Sequence, residues 1–288
     1  MSHERVVEDR VFGLEKAIPA PPPLSHVSTA FDLFSCSVEG ADAAYANQGT
    51  VNHPPLVFLH GWGASHKYWL HAFSGFAPRY RCVAPDLPGF GLSAKPARDY
   101  SLEALARWTG AFLDRLGFPK VTLVGHSMGG AIALLFARAN PGRVAKLALV
   151  NPLIRGADGL SSRCRTLMTP GLRNVLFGLR HLASVRRWIA GDFTNAVPMP
   201  QPLVDDILAP TYGAMVGTYR SLAAADLSGP APELPTLAIG TDRDEILHTG
   251  QIDLLTTGQK FLIHECGHIP MIEKPAEFNR ALDGFLRQ

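Results

Sequence analysis

Short, uninterrupted apolar runs alternate with amphipathic stretches along most of this chain. The runs have the length and composition of strands buried on both faces of a sheet. They cover residues 55–59, 80–84, 121–124, 144–150, 234–240 and 260–264. Helical patterns separate them, including one at 66–76 and one that begins at a Ser101 cap and ends at Gly117. This alternation predicts a mostly parallel sheet with right-handed crossovers.

The two ends of the chain follow different patterns. Residues 27–38 alternate like an edge strand, and residues 43–47 predict its hairpin partner. Residues 1–26 form an N-terminal arm whose proline-rich part, at 19–23, is typical of an extended polyproline spacer. A helix that begins with Pro275 in its first turn is predicted to close the fold.

The strand–helix alternation is interrupted once, at residues 153–233. This stretch has no strong strand pattern, several helical pieces and many Pro and Gly residues. We therefore predict a core built from residues 27–152 and 234–288, with a helical insertion at 153–233 between its two parts.

Composition excludes several classes of protein. With 288 residues, 47% hydrophobic and 18% charged, the chain is predicted to be globular with a large core. A net charge of +2 does not favour nucleic acid as a partner. No apolar run approaches the ~18 residues of a membrane span, and the polar N-terminus does not resemble a signal peptide. The scattered cysteines have neither disulfide nor metal-site spacing, so we expect a cytoplasmic protein without a metal or cofactor. They are Cys36, Cys82, Cys164 and Cys266.

Candidate chemistry begins at the sequence Gly-His-Ser-Met-Gly-Gly, residues 125–130. It follows an apolar run and precedes a helical stretch of small residues. A sharp strand-to-helix turn here would expose the Ser127 hydroxyl, and the helix N-terminus would supply N–H donors and a positive dipole end. An ordinary tight turn of an α/β sheet carries the same glycines, so this motif alone leaves both interpretations open.

Three further motifs decide in favour of a catalytic serine. They are His-Gly-Trp-Gly at 60–63, Asp-Leu-Pro-Gly-Phe-Gly at 86–91, and Gly-His at 267–268 followed by Glu-Lys-Pro at 273–275. With these motifs in this order, the chain from about residue 27 resembles a member of the α/β-hydrolase superfamily, specifically a serine-esterase-like member with a helical cap. The resemblance implies an eight-stranded, mostly parallel sheet flanked by helices, with the cap inserted after strand 6.

The resemblance also implies a Ser–His–acid triad. Ser127 would be the nucleophile and His268 the base. The acid is expected after the strand at 234–240, where Asp244 is favoured because one residue and then aliphatic residues follow it. Asp242 is the alternative. Asn151 occupies the position where some relatives carry the acid, and an amide cannot take that role.

The oxyanion donors implied by the resemblance are the backbone N–H groups of Trp62 and Met128. We expect His60 to brace the loop that carries Trp62, and His126 to pack beside Ser127. The side chains of Trp62 and Trp188 are predicted to bind substrate.

These residues predict hydrolysis of a carboxylic ester of a small molecule through an acyl-enzyme on Ser127. Haloalkane dehalogenases and epoxide hydrolases carry aspartate at this position, so serine excludes their chemistry. The alternatives are a hydrolase of C–C bonds in ring-cleavage products, a lactonase, an acyl-carrier thioesterase or esterase, and a non-catalytic ligand-binding protein on this fold. The sequence Trp-Gly-Ala-Ser at 62–65 departs from the Ser-Gly-Pro-Gly loop usual in C–C hydrolases.

The insertion is rich in arginine, with eight arginines against six acids. A solvated helical face is the simplest interpretation. The alternative is recognition of an anionic substrate or an acyl carrier through charge steering, with Arg186 and Arg187 as the candidates.

Overall fold

The computed structural model describes residues 32–288, apart from residues 192, 196, 208 and 249. The described residues form the predicted eight-stranded sheet, with the strand order β1-β2-β4-β3-β5-β6-β7-β8. Its strands are β1 (Asp32–Val38), β2 (Ala41–Gln48), β3 (Pro55–Leu59), β4 (Arg81–Pro85), β5 (Val121–His126), β6 (Val144–Val150), β7 (Thr236–Thr241) and β8 (Gln259–Ile263). The predicted arm, 1–26, and the start of the predicted edge strand, 27–31, lie outside the described residues.

The sheet is mostly parallel, as predicted. From β4 through β3, β5, β6 and β7 to β8, every pairing is parallel. Among the described strands, the antiparallel pairings are those of β1 with β2 and of β2 with β4, since β1 and β2 form the predicted hairpin at one edge. In β3 the side chains from Leu56 to Leu59 are all fully buried, which is why this strand is apolar without alternation.

Helices cover both faces of the sheet. The helices outside the insertion are α1 (Leu70–Phe76), α2 (Leu102–Arg115), α3 (Met128–Ala139), α10 (Pro270–Glu273) and α11 (Pro275–Leu286). Ser101 begins α2 as predicted, because its hydroxyl accepts the N–H of Ala104 at 3.2 Å. The predicted helix at 66–76 is a 3₁₀ turn, His66–Trp69, that continues into α1.

The described part of the chain has two apolar core clusters, one on each face of the sheet. Successive side chains of a strand point to opposite faces, and β3 divides in this way. Val57 and Leu59 belong to the cluster under α2 and α3, whereas Leu56 and Phe58 belong to the cluster under α1 and α11. The middle strands are therefore held from both sides, and the ends of these strands are rigid positions for a site.

The described residues between β6 and β7 form six helices, in the stretch where the helical insertion is predicted. They are α4 (Gly156–Gly159), α5 (Ser162–Leu167), α6 (Pro170–Gly178), α7 (Ala183–Ala190), α8 (Gln201–Val204) and α9 (Tyr212–Ala224). The described residues of this stretch add no strand to the sheet. The division into a core and a separate cap at 153–233 stays a prediction.

Candidate active site

Ser127 lies on the sharp turn between β5 and α3. Its backbone has φ 53° and ψ −115°, a strained conformation for a residue with a Cβ. The Ser127 N–H donates to the Val150 carbonyl at 2.9 Å, which holds the turn to β6. A Cβ on Gly129 would lie 2.3 Å from the carbonyl oxygen of Leu59, so only glycine allows α3 to start this close to β3. The predicted strand–turn–helix arrangement is confirmed.

His268 and Asp244 form a buried pair beside this turn. The Nδ1 atom of His268 lies 2.6 Å from Oδ2 of Asp244, and the two side chains are 1% and 4% exposed. The other carboxylate oxygen accepts the backbone N–H groups of Ile246 and Leu247, both at 2.9 Å. Nδ1 of His268 must carry a proton to donate to this carboxylate. In the neutral ring Nε2 is then the nitrogen that can accept a proton.

Asp242 makes a different pair, at the surface. Its Oδ2 atom lies 3.1 Å from Nδ1 of His264, whose side chain is 72% exposed. The structure therefore brings Asp244, and not Asp242, to His268.

The loop after β3 crosses directly over the Ser127 turn. A Cβ on Gly61 would lie 3.2 Å from the Cβ of Ser127. His60 braces this loop: its Nε2 accepts the N–H of Leu87 at 2.9 Å, and its Nδ1–H donates to the Gly61 carbonyl at 2.8 Å. Burial lowers the pKa of His60, and a neutral ring is what these two hydrogen bonds require.

Two backbone N–H groups beside Ser127 are available to a ligand. In the described part of the chain, the N–H groups of Trp62 and Met128 donate no hydrogen bond. Met128 is the first residue of α3, where an N–H has no acceptor within its own helix. These are the two donors that the sequence predicts for an oxyanion.

The backbone of His268 is held by a side chain at the end of β5 and by one that directly follows β6. Nε2–H of His126 donates to the His268 carbonyl at 2.9 Å, and the Asn151 amide donates to the same oxygen at 3.0 Å. Burial lowers the pKa of His126 well below its ordinary value, with the nearby His268 adding to the effect, so His126 is neutral. The sequence reasoning predicted that His126 packs near Ser127 but missed this function of Asn151.

The insertion also holds the loop that carries His268. The His268 N–H donates to the Phe193 carbonyl at 3.1 Å. The carboxylate of Glu273 accepts the N–H of Asn195 at 2.7 Å and the N–H of Gly267 at 3.2 Å. The sequence Glu-Lys-Pro at 273–275 was part of the family resemblance. The sequence did not predict that Glu273 anchors the loop that carries His268.

Ser127 and His268 open into one cavity of about 910 Å³, a volume that includes its mouth. Its described lining contains no Lys or Arg, and its one carboxylate side chain is that of Glu245. The insertion supplies most of the apolar wall, including Leu160, Leu167, Met168, Leu176, Ile189 and Leu222. The described hydrogen bonds do not include one from the Ser127 hydroxyl to His268. Such contacts often shorten only when substrate is bound.

The two predicted substrate-binding tryptophans lie in different places. Trp62 lines the cavity. The structure does not bring Trp188 to it: this side chain is 49% exposed, and the Arg163 guanidinium lies 4.9 Å from its ring centroid. The side chain of α7 that reaches the cavity is that of the next residue, Ile189, because neighbouring residues of a helix do not share a face.

Neither a metal centre nor a membrane span is found in the described residues. They contain no group of three or more His, Cys, Asp or Glu side chains placed to hold a metal ion. None of their helices has both the length and the apolar composition needed to cross a bilayer.

Comparison with known proteins assigns the family. Residues 54–275 match the family described as having the alpha/beta hydrolase fold. This chain belongs to the α/β-hydrolase family. The sequence-based predictions of family and fold are therefore confirmed.

Three proteins similar to this α/β-hydrolase carry different names. The dihydrolipoyllysine-residue acetyltransferase component of the acetoin cleaving system of Pseudomonas putida is 28% identical over 81% of this chain. The chain spans only 64% of the length of that protein. The pimeloyl-[acyl-carrier protein] methyl ester esterase of Nitrosomonas europaea is 28% identical over 81% of this chain and 96% of its own length. A solved membrane phospholipase A superimposes with a TM-score of 0.72 at 27% identity, over 90% of this chain and 86% of that one.

Proposed function

We propose that this α/β-hydrolase cleaves carboxylic esters through an acyl-enzyme on Ser127. The observation that carries the proposal is the buried pair of His268 and Asp244, in which the histidine lines the same apolar cavity as Ser127. Nε2 of His268 takes the hydroxyl proton as Ser127 attacks the ester carbonyl, and Asp244 stabilises the imidazolium that results.

The N–H groups of Trp62 and Met128 would hold the oxyanion of the tetrahedral intermediate. Each such donor is worth about 3 kcal/mol in the transition state. His268 then returns its proton to the leaving alkoxide, which departs as the alcohol. Water, deprotonated by the same imidazole, attacks the acyl-enzyme and releases the carboxylic acid.

The cavity favours a neutral substrate with an apolar acyl group. Its described lining is apolar apart from a few polar groups, and it offers no cation to a carboxylate or phosphate. The relative from Nitrosomonas europaea is named as a methyl ester esterase, which supports an ester as the scissile group.

The same lining disfavours the C–C hydrolase alternative. Ring-cleavage products are acids, and a carboxylate buried without a cation or hydrogen bonds is costly. Lactones and thioesters need the same nucleophile and oxyanion donors as esters, so they belong in the substrate panel that tests the proposal.

An anionic acyl carrier at the insertion remains a prediction. Of its two candidate arginines, Arg187 is exposed. Arg186 is partly engaged, because its guanidinium lies 3.4 Å from Asp205 and donates to the Arg180 carbonyl at 2.6 Å.

A fluorophosphonate probe and a series of p-nitrophenyl esters from acetate to laurate test the proposal. We expect a covalent adduct on Ser127 and a maximum of kcat/KM for acyl chains longer than acetyl. The Ser127→Ala variant should show no adduct and should lose at least about 10³-fold in kcat.

A protein with this fold but without catalytic activity would form no adduct and hydrolyse no substrate. If wild type forms no Ser127-dependent adduct and hydrolyses no ester, thioester or lactone of the panel, the esterase proposal is wrong. A ligand-binding protein on this fold would then be the better interpretation.

A further inference from the structure

One continuous part of the insertion carries an unusual concentration of positive charge. Residues 160–190 contain no Asp or Glu, although the whole chain has 27 basic and 25 acidic residues. Asp158 and Asp192 are the nearest acids on either side in the sequence. The arginines of this segment are Arg163, Arg165, Arg173, Arg180, Arg186 and Arg187.

Besides Trp188, three large apolar side chains are exposed in the described part of the same segment. Val175, Leu179 and Leu182 are 56%, 43% and 51% exposed. Val175 lies on α6, and Leu179 follows one turn later as the residue that caps the end of this helix. The N–H of Leu182 donates to the Leu179 carbonyl at 2.9 Å, so the third side chain follows directly in the turn to α7. We call these three residues the apolar row.

Several arginines lie along aromatic surface beside this row. The guanidinium of Arg180 lies 4.1 Å from the ring centroid of Phe177, and that of Arg173 lies 5.5 Å from the centroid of Tyr212. In these contacts the guanidinium groups themselves lie against the rings, so the positive charges sit on aromatic surface next to the apolar row. Arg163 makes a similar contact with the half-exposed ring of Trp188.

The opposite side of this segment faces the proposed catalytic cavity. Leu167, Met168, Leu176 and Ile189 line the cavity from α5, α6, α7 and their connections. Leu176 is the neighbour of Val175 in the chain, so α6 carries part of the cavity wall on one side and the first residue of the apolar row on another. One layer of helix therefore separates the cavity from the basic, apolar surface.

We propose that the face formed by α5, α6 and α7 docks on an anionic lipid bilayer. The apolar row enters the interface, and the surrounding arginines contact lipid phosphates. This inference deepens the proposed function, on which it rests for the substrate class: the ester would be a lipophilic molecule that reaches the cavity from the bilayer. An acidic carrier protein could pair with the arginines. The exposed apolar row, however, favours a bilayer, because apolar side chains can enter the interface between lipid headgroups and acyl chains.

Co-sedimentation with vesicles tests the docking separately from catalysis. The Ser127→Ala protein would be mixed with phosphatidylcholine vesicles, with or without phosphatidylglycerol. We expect binding only to the vesicles that contain phosphatidylglycerol, and weaker binding as NaCl is raised because salt screens the surface charge.

Matched double variants locate the docking face. Arg165→Gln with Arg187→Gln should weaken vesicle binding about tenfold or more, given the contribution of each cation near an anionic surface. Arg107→Gln with Arg280→Gln changes the net charge equally at exposed positions outside the insertion, and should leave binding unchanged. Val175→Ser with Leu182→Ser keeps every charge and should weaken binding as well.

Three results would overturn the inference. The first is no binding to phosphatidylglycerol vesicles, and the second is an equal loss of vesicle binding in both double arginine variants. The third is binding to an acidic acyl-carrier protein without binding to vesicles. Because the vesicle assay uses the Ser127→Ala protein, its outcome does not depend on hydrolysis. Failure of the proposed function would appear only in the fluorophosphonate and ester assays of wild type.

Discussion

The indole Nε1–H of Trp62 donates a hydrogen bond of 2.9 Å to the hydroxyl of Thr218. Thr218 is fully buried on α9, and its hydroxyl donates in turn to the Ala214 carbonyl at 2.6 Å. This chain of hydrogen bonds ties the loop after β3 to a helix of the insertion. Since the N–H of Trp62 is a proposed oxyanion donor, the insertion helps to position that donor.

Removing the Thr218 hydroxyl should therefore slow catalysis more than it weakens binding. In Thr218→Val the indole keeps only the Met215 carbonyl, which lies 3.4 Å away. We expect kcat on p-nitrophenyl butyrate to fall about three- to tenfold, the equivalent of one lost hydrogen bond of about 1 kcal/mol, with little change in KM. Thr218→Ser keeps the hydroxyl and should behave like wild type. Equal kcat values for the valine variant and wild type would show that Trp62 needs no such anchor.

Substitution of the two candidate acids should have very unequal effects. Asp244→Asn replaces the carboxylate 2.6 Å from Nδ1 of His268 and favours the wrong tautomer of the ring. We expect kcat to fall by about 10⁴-fold, as for the buried acid of other serine triads. Asp242→Asn alters a pair with His264 at the surface and should leave kcat nearly unchanged. A large loss in the second variant and not in the first would reverse the assignment.

Glu245 should discriminate against anionic substrates. It is the one carboxylate side chain of the described cavity lining, and it is exposed. Two like charges about 4 Å apart repel by about 1 kcal/mol in water. Glu245→Gln should accordingly raise kcat/KM up to about fivefold for a p-nitrophenyl ester that ends in a carboxylate. The uncharged ester of equal length should be unaffected.

Glu265→Gln is the matched control for this prediction. Glu265 is exposed, pairs with Arg243 and lies outside the cavity lining. If both glutamine variants raise turnover of the anionic ester equally, the effect comes from net charge and not from the cavity.

The free energy of unfolding should decrease as the solution becomes acidic. Burial lowers the pKa of His60 and His126 below the ordinary value of 6.5, so both rings are neutral in the folded protein. Below that pH the unfolded chain binds protons that the folded chain does not. Stability is therefore fully present above about pH 6.5 and falls as the pH is lowered, by up to about 1.4 kcal/mol per pH unit for each histidine.

Urea unfolding at about pH 7.5 and about pH 5.5 measures this dependence. The difference in free energy between these conditions should be smaller in His126→Gln than in wild type. Unchanged stability of wild type between the two values would contradict the linkage to buried histidines.

The chain by itself determined the features that depend on local pattern. The apolar runs predicted the strands from β3 to β8 to within about two residues, the usual uncertainty of strand and helix ends. Ser101 and Gly117 predicted both ends of α2. The glycines around Ser127 predicted the strained turn, because backbone conformation and close packing at this point depend on residues next to each other in the sequence.

Tertiary structure decided the features that depend on how loops meet. Asp242 and Asp244 stand two residues apart in one loop, and only its path shows that Asp244 approaches His268. Trp188 was predicted to bind substrate as a large apolar side chain of the insertion, yet on α7 its ring is half-exposed and does not line the cavity.

The side chains that hold the site residues in place also act through contacts between residues distant in sequence. Thr218 meets Trp62 across 156 positions, and Asn151 meets the His268 carbonyl across 117. Local periodicity carries no information about such pairs, because they form only when separate strands and helices pack together. The sequence thus determined the strands and the serine turn, whereas packing determined which side chains support them.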